Sequence, residues 1–334
     1  MNGIRLSLCI ISKNEEKMIE NAILSGKKIA DEIIVLDTGS KDRTKEIATL
    51  GGAKVYETEF FYDFSDLRNK CIEKATGDFI LFLDCDERIE NPEKIRTVLK
   101  NIDSEVAVSL RVCSYLDSIK RSEENIIRLF KRDERIRYRG RIQETVKDTI
   151  RENFGEEGIL YTDIKISHFG SDEKVVNVKE KLSRNLKVFS MISEEEKDSK
   201  YHFDLGNEYG RMGNFEMALE QYDKSLDKID KNDDELKVRT VLNKVKAMHK
   251  LEVYEEELEF IKEHILEFED FRDLYFLKCL CEIQLGQFHA AKDSLEDYIR
   301  REKLIKYPSS EFESAMDLEK FYRNIEKISR TINL

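Results

Sequence analysis

Tryptophan is absent from this 334-residue chain, and proline occurs only at Pro92 and Pro308. With so few breakers, the charged segments of the C-terminal half can run as uninterrupted helices. No stretch of 18 apolar residues exists, which excludes a membrane-spanning helix. The start, Met1-Asn2-Gly3-Ile4-Arg5, leads straight into a strand pattern, without the apolar core and cleavage site of a secretory signal. The six cysteines (Cys9, Cys71, Cys85, Cys113, Cys279, Cys281) form no C-x-x-C pair and no paired His spacing. That argues against zinc and a disulfide framework, and for a reducing, cytoplasmic setting. Positive charge is in deficit as well. A net charge of −12 disfavours nucleic acid or an anionic membrane as partner.

What is present is charge and alternating pattern. Charged residues make up 38% of the chain, against about 25% in an average protein, which implies much exposed helix. The length suggests two domains, at roughly 150 residues each. The first third reads strand–helix–strand repeatedly. Strands are predicted at Ile4–Ile11, Glu32–Leu36, Ala53–Glu57 and from Phe79. Helices are predicted from a Ser12 or Asn14 cap to about Lys28, over Lys41–Leu50, and over Phe64–Thr76. This order implies a doubly wound, mostly parallel sheet. A helix from Pro92 to about Asn101 and antiparallel strands at Val106–Cys113 and Asn125–Phe130 follow. A loop-rich stretch then ends in Ile164-Lys-Ile-Ser-His168-Phe-Gly170.

The segment Phe79-Ile-Leu-Phe-Leu-Asp-Cys-Asp-Glu87 carries most of the chemistry. Five apolar residues predict a strand buried on both faces. Asp84 and Asp86 then emerge at its C-terminal end, the edge where open α/β sheets bind ligands. Two carboxylates there need a compensating cation. Mg²⁺ or Mn²⁺ carrying a diphosphate supplies it. The bland reading is a solvated acidic turn.

From Asp172 the pattern is helical. Leu205-Gly206, Tyr209, Gly213, Phe215, Ala218 and Tyr222 match tetratricopeptide spacing without its Trp. Gly286, Phe288 and Ala291 repeat the turn region, and Tyr254 marks a weak middle unit. The expected division is 1–171 catalytic, 172–199 linking helix and 200–334 repeats. Stacked repeats leave a concave surface, and an exposed repeat face offers a way to pair two chains as a homodimer.

Taken together, Ile10-Ile-Ser-Lys-Asn-Glu15, Ile34-Val-Leu-Asp-Thr-Gly-Ser-Lys-Asp-Arg-Thr44, Phe64-Ser-Asp-Leu-Arg-Asn69 and Phe82-Leu-Asp-Cys-Asp-Glu87 resemble the family 2 glycosyltransferases of the GT-A fold. Arg128-Leu-Phe, Tyr138-Arg-Gly-Arg-Ile-Gln-Glu144 and His168-Phe-Gly170, with a repeat tail, extend the likeness to peptide-modifying glycosyltransferases of the sublancin S-glycosyltransferase group. Two departures stand out. That group has His-Glu where this chain has Gln143-Glu144, and His-x-Gly-Tyr where it has His168-Phe-Gly170-Ser171.

The resemblance implies a GT-A domain followed by an all-α repeat domain, an Mg²⁺ or Mn²⁺ cofactor and a UDP-sugar donor. It implies transfer of a hexose, with inversion, to a Cys or Ser/Thr side chain of a peptide or protein held by the repeats. A sugar or lipid-linked acceptor in cell-surface glycan assembly is the alternative. Asp37 and Arg68 would meet the uracil edge, and Ile11, Ser12 and Glu15 would line the nucleoside slot. Asp84, with Cys85 beside it, would sit near the ribose or uridine phosphate. Asp86 and His168 would hold the metal, Arg128 or Arg141 would clamp phosphate, and Glu144 would take the acceptor proton. Asp133 and Glu87 are further candidates for that base. The residues bear on two other classes. A haloacid-dehalogenase phosphatase would need Asp-x-Asp on its first strand and a Thr soon after. A repeat scaffold with an inactive transferase domain conflicts with intact Asp37, Arg68, Asp84 and Asp86. Asp37-Thr-Gly39 matches an aspartic-protease triplet only as a single copy.

Overall fold

The computed structural model describes residues 3–116, 119–169, 178–231, 233–301 and 318–332. It divides into two compact units, 1–181 and 182–334. The first is built on one mixed sheet of β1 (Leu6–Ser12), β2 (Glu32–Asp37), β3 (Lys54–Glu57), β4 (Phe79–Asp84), β5 (Glu87–Ile89), β6 (Ala107–Leu116), β7 (Ile119–Lys131) and β8 (Ile159–His168). Their order across the sheet is β3-β2-β1-β4-β7-β6-β8-β5. Strands β1 to β4 run parallel, and β7 joins β4 antiparallel. This is the doubly wound mixed sheet expected of the GT-A type.

The helices of this unit are α1 (Ile19–Lys27), α2 (Thr44–Leu50), α3 (Phe64–Lys74), α4 (Pro92–Asn101) and α5 (Lys147–Phe154). Alternate strand residues bury on opposite faces. Leu8, Ile10, Val35, Leu81 and Leu83 pack with Ile19, Ile23, Ile95 and Leu99 of α1 and α4. Cys9, Ile34, Leu36, Ile80 and Phe82 pack with Leu67, Cys71 and Ile72 of α3 and Ile150 of α5. Both faces are covered, which is why these strands read as unbroken apolar runs.

Several boundaries differ from expectation. The first helix starts at Ile19 with no side-chain cap. Asn14 instead takes a left-handed φ of 56° and ties two loops together, its amide donating to Ser40 Oγ and its Oδ1 accepting from Lys41 N. The third helix ends at Lys74, before Gly77. The stretch read as loop-rich contains α5 and the ten-residue β8. Polar Thr162, Asp163, Lys165, Ser167 and His168 hide β8's strand pattern.

Helix α6 (Val178–Ser190) carries the division between the units, after Lys181. The second unit contains three helix pairs: α7 (Ser199–Arg211) with α8 (Phe215–Lys228), α9 (Asp234–Lys250) with α10 (Tyr254–Ile265), and α11 (Arg272–Gln284) with α12 (Phe288–Arg300). Helix α13 (Leu318–Ile332) follows. Each pair turns on one left-handed residue two positions before the second helix: Gly213, Glu252 and Gly286, at φ 75°, 59° and 70°. The middle repeat is therefore complete in structure. It was faint in sequence because Glu252 stands where glycine is the easy choice, and buried Glu257 stands where the other repeats place Ala218 and Ala291. Gly170, Ser171 and Pro308 lie outside the described residues.

Candidate active site

The parallel strands deliver their last residues to one edge. Ser12 pairs with Asp37 and Ile11 with Asp84 in the sheet register. Three of the four non-glycine residues with positive φ among the described residues lie in loops at this edge: Asn14, Tyr62 and Gln143. Backbone strain of this kind costs about 1–3 kcal/mol per residue and gathers at functional sites.

A chain of alternating charges occupies the centre, with Arg68, Glu87 and Arg128 buried and Asp84 and Glu144 half-buried. Arg68, on α3, donates from Nε to Glu144 Oε1 at 2.5 Å and from Nη2 to Asp84 Oδ1 at 3.0 Å. Its guanidinium also lies 5.2 Å from the Phe82 ring centroid and 5.1 Å from that of Tyr138. Arg128, on β7, donates from Nη2 to Asp84 Oδ2 at 2.9 Å and to Glu87 Oε1 at 2.5 Å. Burial opposes ionisation of Asp84, but the Arg128 and Arg68 charges outweigh it and hold the carboxyl well below its usual range. Glu87 is pushed up by its own burial despite Arg128, with Asp84 adding to the rise. Arg68 Nη1, Arg128 Nε and the Tyr138 hydroxyl are buried there without a hydrogen-bond partner among the described residues. Each such atom costs about 1–3 kcal/mol and calls for an explanation, of which a role in chemistry is one.

Glu144 reaches this cluster from a tight loop. Arg139 and Thr145 exchange backbone hydrogen bonds across it, and Gly140 (φ 93°) and Gln143 (φ 53°) supply its left-handed turns. Asn69 pins the approach, trading side-chain hydrogen bonds with the Tyr138 backbone at 2.9 and 3.0 Å. Glu144 Oε1 is committed to Arg68. Its Oε2 has no partner among the described residues.

Asp86 sits on the far side of Asp84, one-tenth exposed. Strand β8 places His168 opposite Glu87, so that Nε2 lies 3.5 Å from Asp86 Oδ2. Nδ1 is 3.2 Å from Ser114 Oγ. With Nδ1–H donating to Ser114, loss of the Nε2 proton that faces Asp86 would leave the lone pair a metal ligand needs. Burial pulls His168 down, but the Asp86 hydrogen bond and charge prevail and its pKa is raised. Lys181 Nζ stands 3.6 Å from the same Asp86 oxygen. The donor set fits a hard divalent ion. Two cis ligands of an octahedral ion at about 2.1 Å would lie about 3 Å apart, close to the observed 3.5 Å. No cluster of three His, Cys, Asp or Glu that could hold a metal is found among the described residues. Such an ion would therefore draw most of its ligands from a diphosphate and water, as Mg²⁺ sites commonly do.

The other expected residues fall into place unevenly. Asp37 is fully buried, and its carboxylate is saturated. Oδ1 accepts from Gly39 N and Ser40 N, and Oδ2 from Ser12 Oγ and Ser40 Oγ. A carboxylate has about four acceptor sites, so none is left for a uracil edge. Ser12 O is also taken, by Thr38. The Cys85 thiol is buried and donates to Ile11 O at 3.3 Å. Burial, then Glu15 and the neighbouring aspartates, push its pKa up, so Cys85 packs and does not point to ligand. Glu15 N donates to Thr44 Oγ1. Arg68 is committed to Glu144 and Asp84, and not presented to a base.

The basic segment separates in the same way. Arg128 is committed as described. Arg132 donates to Gly77 O, Arg135 to Asp133, Arg137 to backbone carbonyls and Arg139 to Glu152. Half-buried Arg141 has no ion pair among the described residues, and its carbonyl accepts from Phe64 N at the site edge. As candidate bases, Asp133 and Glu87 drop out. Asp133 lies beside Arg132, whose amide bonds Asp78 at the opposite edge of the sheet, and Arg135 holds its pKa at about 2. Glu87 is buried under Arg128. Sequence reasoning missed Lys181, because it lies in a segment read only as a linking helix, and Ser114, whose contact depends on the β6–β8 pairing.

Residues 7–156 match the family described as Glycosyl transferase family 2. Among curated proteins, a TPR repeat-containing protein of Synechococcus elongatus is 38% identical over 148 residues, which are 44% of this chain and 36% of that protein. The SPbeta prophage-derived glycosyltransferase SunS of Bacillus subtilis is 28% identical over 232 residues, 68% of this chain and 54% of that protein. The chain thus spans about a third to a half of the length of these relatives. Among solved structures, glucosyl-3-phosphoglycerate synthase from Mycobacterium tuberculosis, in complex with Mn²⁺, uridine diphosphate and glucosyl-3-phosphoglycerate, aligns with a TM-score of 0.41 at 17% identity. The alignment covers 56% of this chain and 77% of that one.

Proposed function

We propose that the family 2 glycosyl transferase domain at residues 7–156, completed by His168, transfers a hexose from a UDP-sugar to a Cys or Ser/Thr side chain of a peptide or protein. The observation that carries this reading is the division of labour at one sheet edge. Asp86 Oδ2 and His168 Nε2 stand 3.5 Å apart, while Glu144 is held by Arg68 with its other carboxylate oxygen uncommitted among the described residues. Asp86 and His168 would hold a divalent ion, which would supply Lewis acidity to the departing diphosphate. Arg141, the uncommitted guanidinium, pairs with phosphate oxygens. Glu144 Oε2 takes the proton of the acceptor. The acceptor sulfur or oxygen bonds to the anomeric carbon as the bond from that carbon to the diphosphate oxygen breaks, with inversion, and UDP leaves. Arg68 touches no reacting atom. It is a positioning residue that fixes Glu144 against Asp84.

The likeness of the His168 and Glu144 fingerprints to peptide-modifying enzymes, and the repeat unit, support a peptide or protein acceptor. A thiol acceptor, unperturbed near about 8.5, leans on Glu144 less than a hydroxyl does. The test is a screen of UDP-sugars with small peptides, with and without Mn²⁺, read by mass spectrometry. Asp86→Asn is expected to lower Mn²⁺-dependent transfer by roughly 10³-fold, in the range of metal-site losses. Glu144→Gln is expected to lower transfer to Ser or Thr by roughly 10²–10⁴-fold while UDP still binds. Transfer that survives both Asp86→Asn and chelation would overturn the reading.

A further inference from the structure

Two groups face one oxygen of Asp86. His168 Nε2 lies 3.5 Å from Oδ2 and Lys181 Nζ lies 3.6 Å from it. Any cation that takes Oδ2 and Nε2 as ligands must therefore come within a few ångströms of an ammonium charge. One carboxylate cannot neutralise both a divalent ion and a lysine at that range, and like charges repel strongly where water is scarce. Asp86 is about nine-tenths buried, so the repulsion is not screened away.

Lys181 is also built to leave. Its side chain is 39% exposed, and Asp86 is its one acidic partner among the described residues. The contact is a long ion pair without hydrogen-bond geometry. Its flexible four-carbon stem can carry the ammonium into water. By contrast, His168 is tied at its other nitrogen to Ser114 and stays.

We infer that Lys181 is the resident counter-ion of Asp86, and that a divalent cation must displace it to bind. This rests on the metal-site reading of Asp86 and His168. Lys181 keeps the buried carboxylate neutralised without metal and weakens the site for a bare ion. A cation that arrives with a diphosphate gains ligands the bare ion lacks, so the device favours the metal–nucleotide pair over free metal.

The experiment is a titration of Mn²⁺ into the nucleotide-free full chain, followed by electron paramagnetic resonance of free Mn²⁺. Lys181→Met is expected to bind Mn²⁺ roughly tenfold more tightly than the wild type, the order expected for removing one unit charge a few ångströms away near solvent. Lys181→Arg, which keeps the charge, is expected to stay within roughly twofold of the wild type on the same argument. Asp86→Asn should abolish binding in every background. Unchanged or weaker binding by Lys181→Met, with Asp86→Asn still abolishing it, overturns the role of Lys181 and leaves the metal site standing. Binding that survives Asp86→Asn, or no binding by any variant, overturns the metal site and the counter-ion with it.

Discussion

Buried carboxylates stand at both ends of the parallel strands, and they are not alike. Strand β2 begins with Glu32 and ends with Asp37. Glu32, at the opening edge, accepts from Ser7 Oγ, Thr76 N, Thr76 Oγ1 and Lys54 Nζ. Asp37, at the closing edge, is equally saturated. Beyond β1, at the end of β4, Asp84 is balanced between two arginines. Among the described residues Asp86 has two long side-chain contacts, both to the same oxygen. Burial therefore does not separate a working acid from a structural one at this edge. Hydrogen-bond capacity left unspent sets the acids of the proposed mechanism, Asp86 and Glu144, apart from Glu32 and Asp37.

The comparison breaks first, and hardest, at Arg128. Arg128→Met removes the shared partner of Asp84 and of Glu87, leaving buried Glu87 beside half-buried Asp84 without it. Breaking a buried pair in this way costs about 3–5 kcal/mol. Urea unfolding of the full chain, followed by amide exchange in β4, is expected to show that loss. A drop in transfer with unchanged stability would move Arg128 from the framework to the phosphate clamp.

Glu32 gives the opening edge a pH signature of its own. Burial alone would raise its pKa, but hydrogen bonds from Ser7, Thr76 and Lys54 prevail and hold it at about 2. A carboxylate depressed in the folded state stabilises fully above its unfolded pKa of about 4.5 and loses that contribution as pH falls towards 2. The loss is about 2 kcal/mol, after allowance for solvent screening around Lys54. Glu32→Gln should make the acid-unfolding curve shallower by this amount between about pH 4.5 and pH 2, the remaining slope coming from other depressed acids such as Asp31, Asp84 and Asp133. If the wild type and Glu32→Gln respond identically to acid, Glu32 is not held as the geometry indicates.

Much of this was legible in the chain. The GT-A sheet followed from apolar runs and helix patterns. The Asp84–Asp86 turn and His168 followed from their positions after strands. What was not legible depends on pairing across the sheet. The polar alternation of β8 hid a strand that the β6 partnership makes stable, and so hid the contact of Ser114 with His168. The ion pairs of Arg68 and Arg128 were not legible, because a sequence shows a guanidinium but not which carboxylates fold up against it. The middle repeat was faint because Glu252 accepts a backbone angle that glycine would advertise, and Glu257 is buried with His249 Nδ1 at 3.1 Å where alanine is the family pattern.

The smallest expected effect is the sharpest test of the comparison, because resemblance and geometry disagree there. Resemblance places Asp37 at the uracil edge, where Asp37→Asn would weaken UDP binding. The geometry makes it a turn acid whose four acceptor sites are spent on Ser12, Gly39 and Ser40. An asparagine keeps one oxygen for the two backbone donors, and the serine hydroxyls can rotate to accept from its amide. Charge-assisted bonds become neutral ones, at a cost of about 1–2 kcal/mol in stability. Calorimetric titration of UDP in Mn²⁺ is expected to give a Kd within roughly twofold of the wild type, since no lost contact would reach the nucleotide. A tenfold weaker Kd with unchanged stability would mean that the turn opens to the base when the donor binds. Saturation in the free protein would then be a poor guide to function at this edge, and Asp37 would belong with Asp86 and not with Glu32.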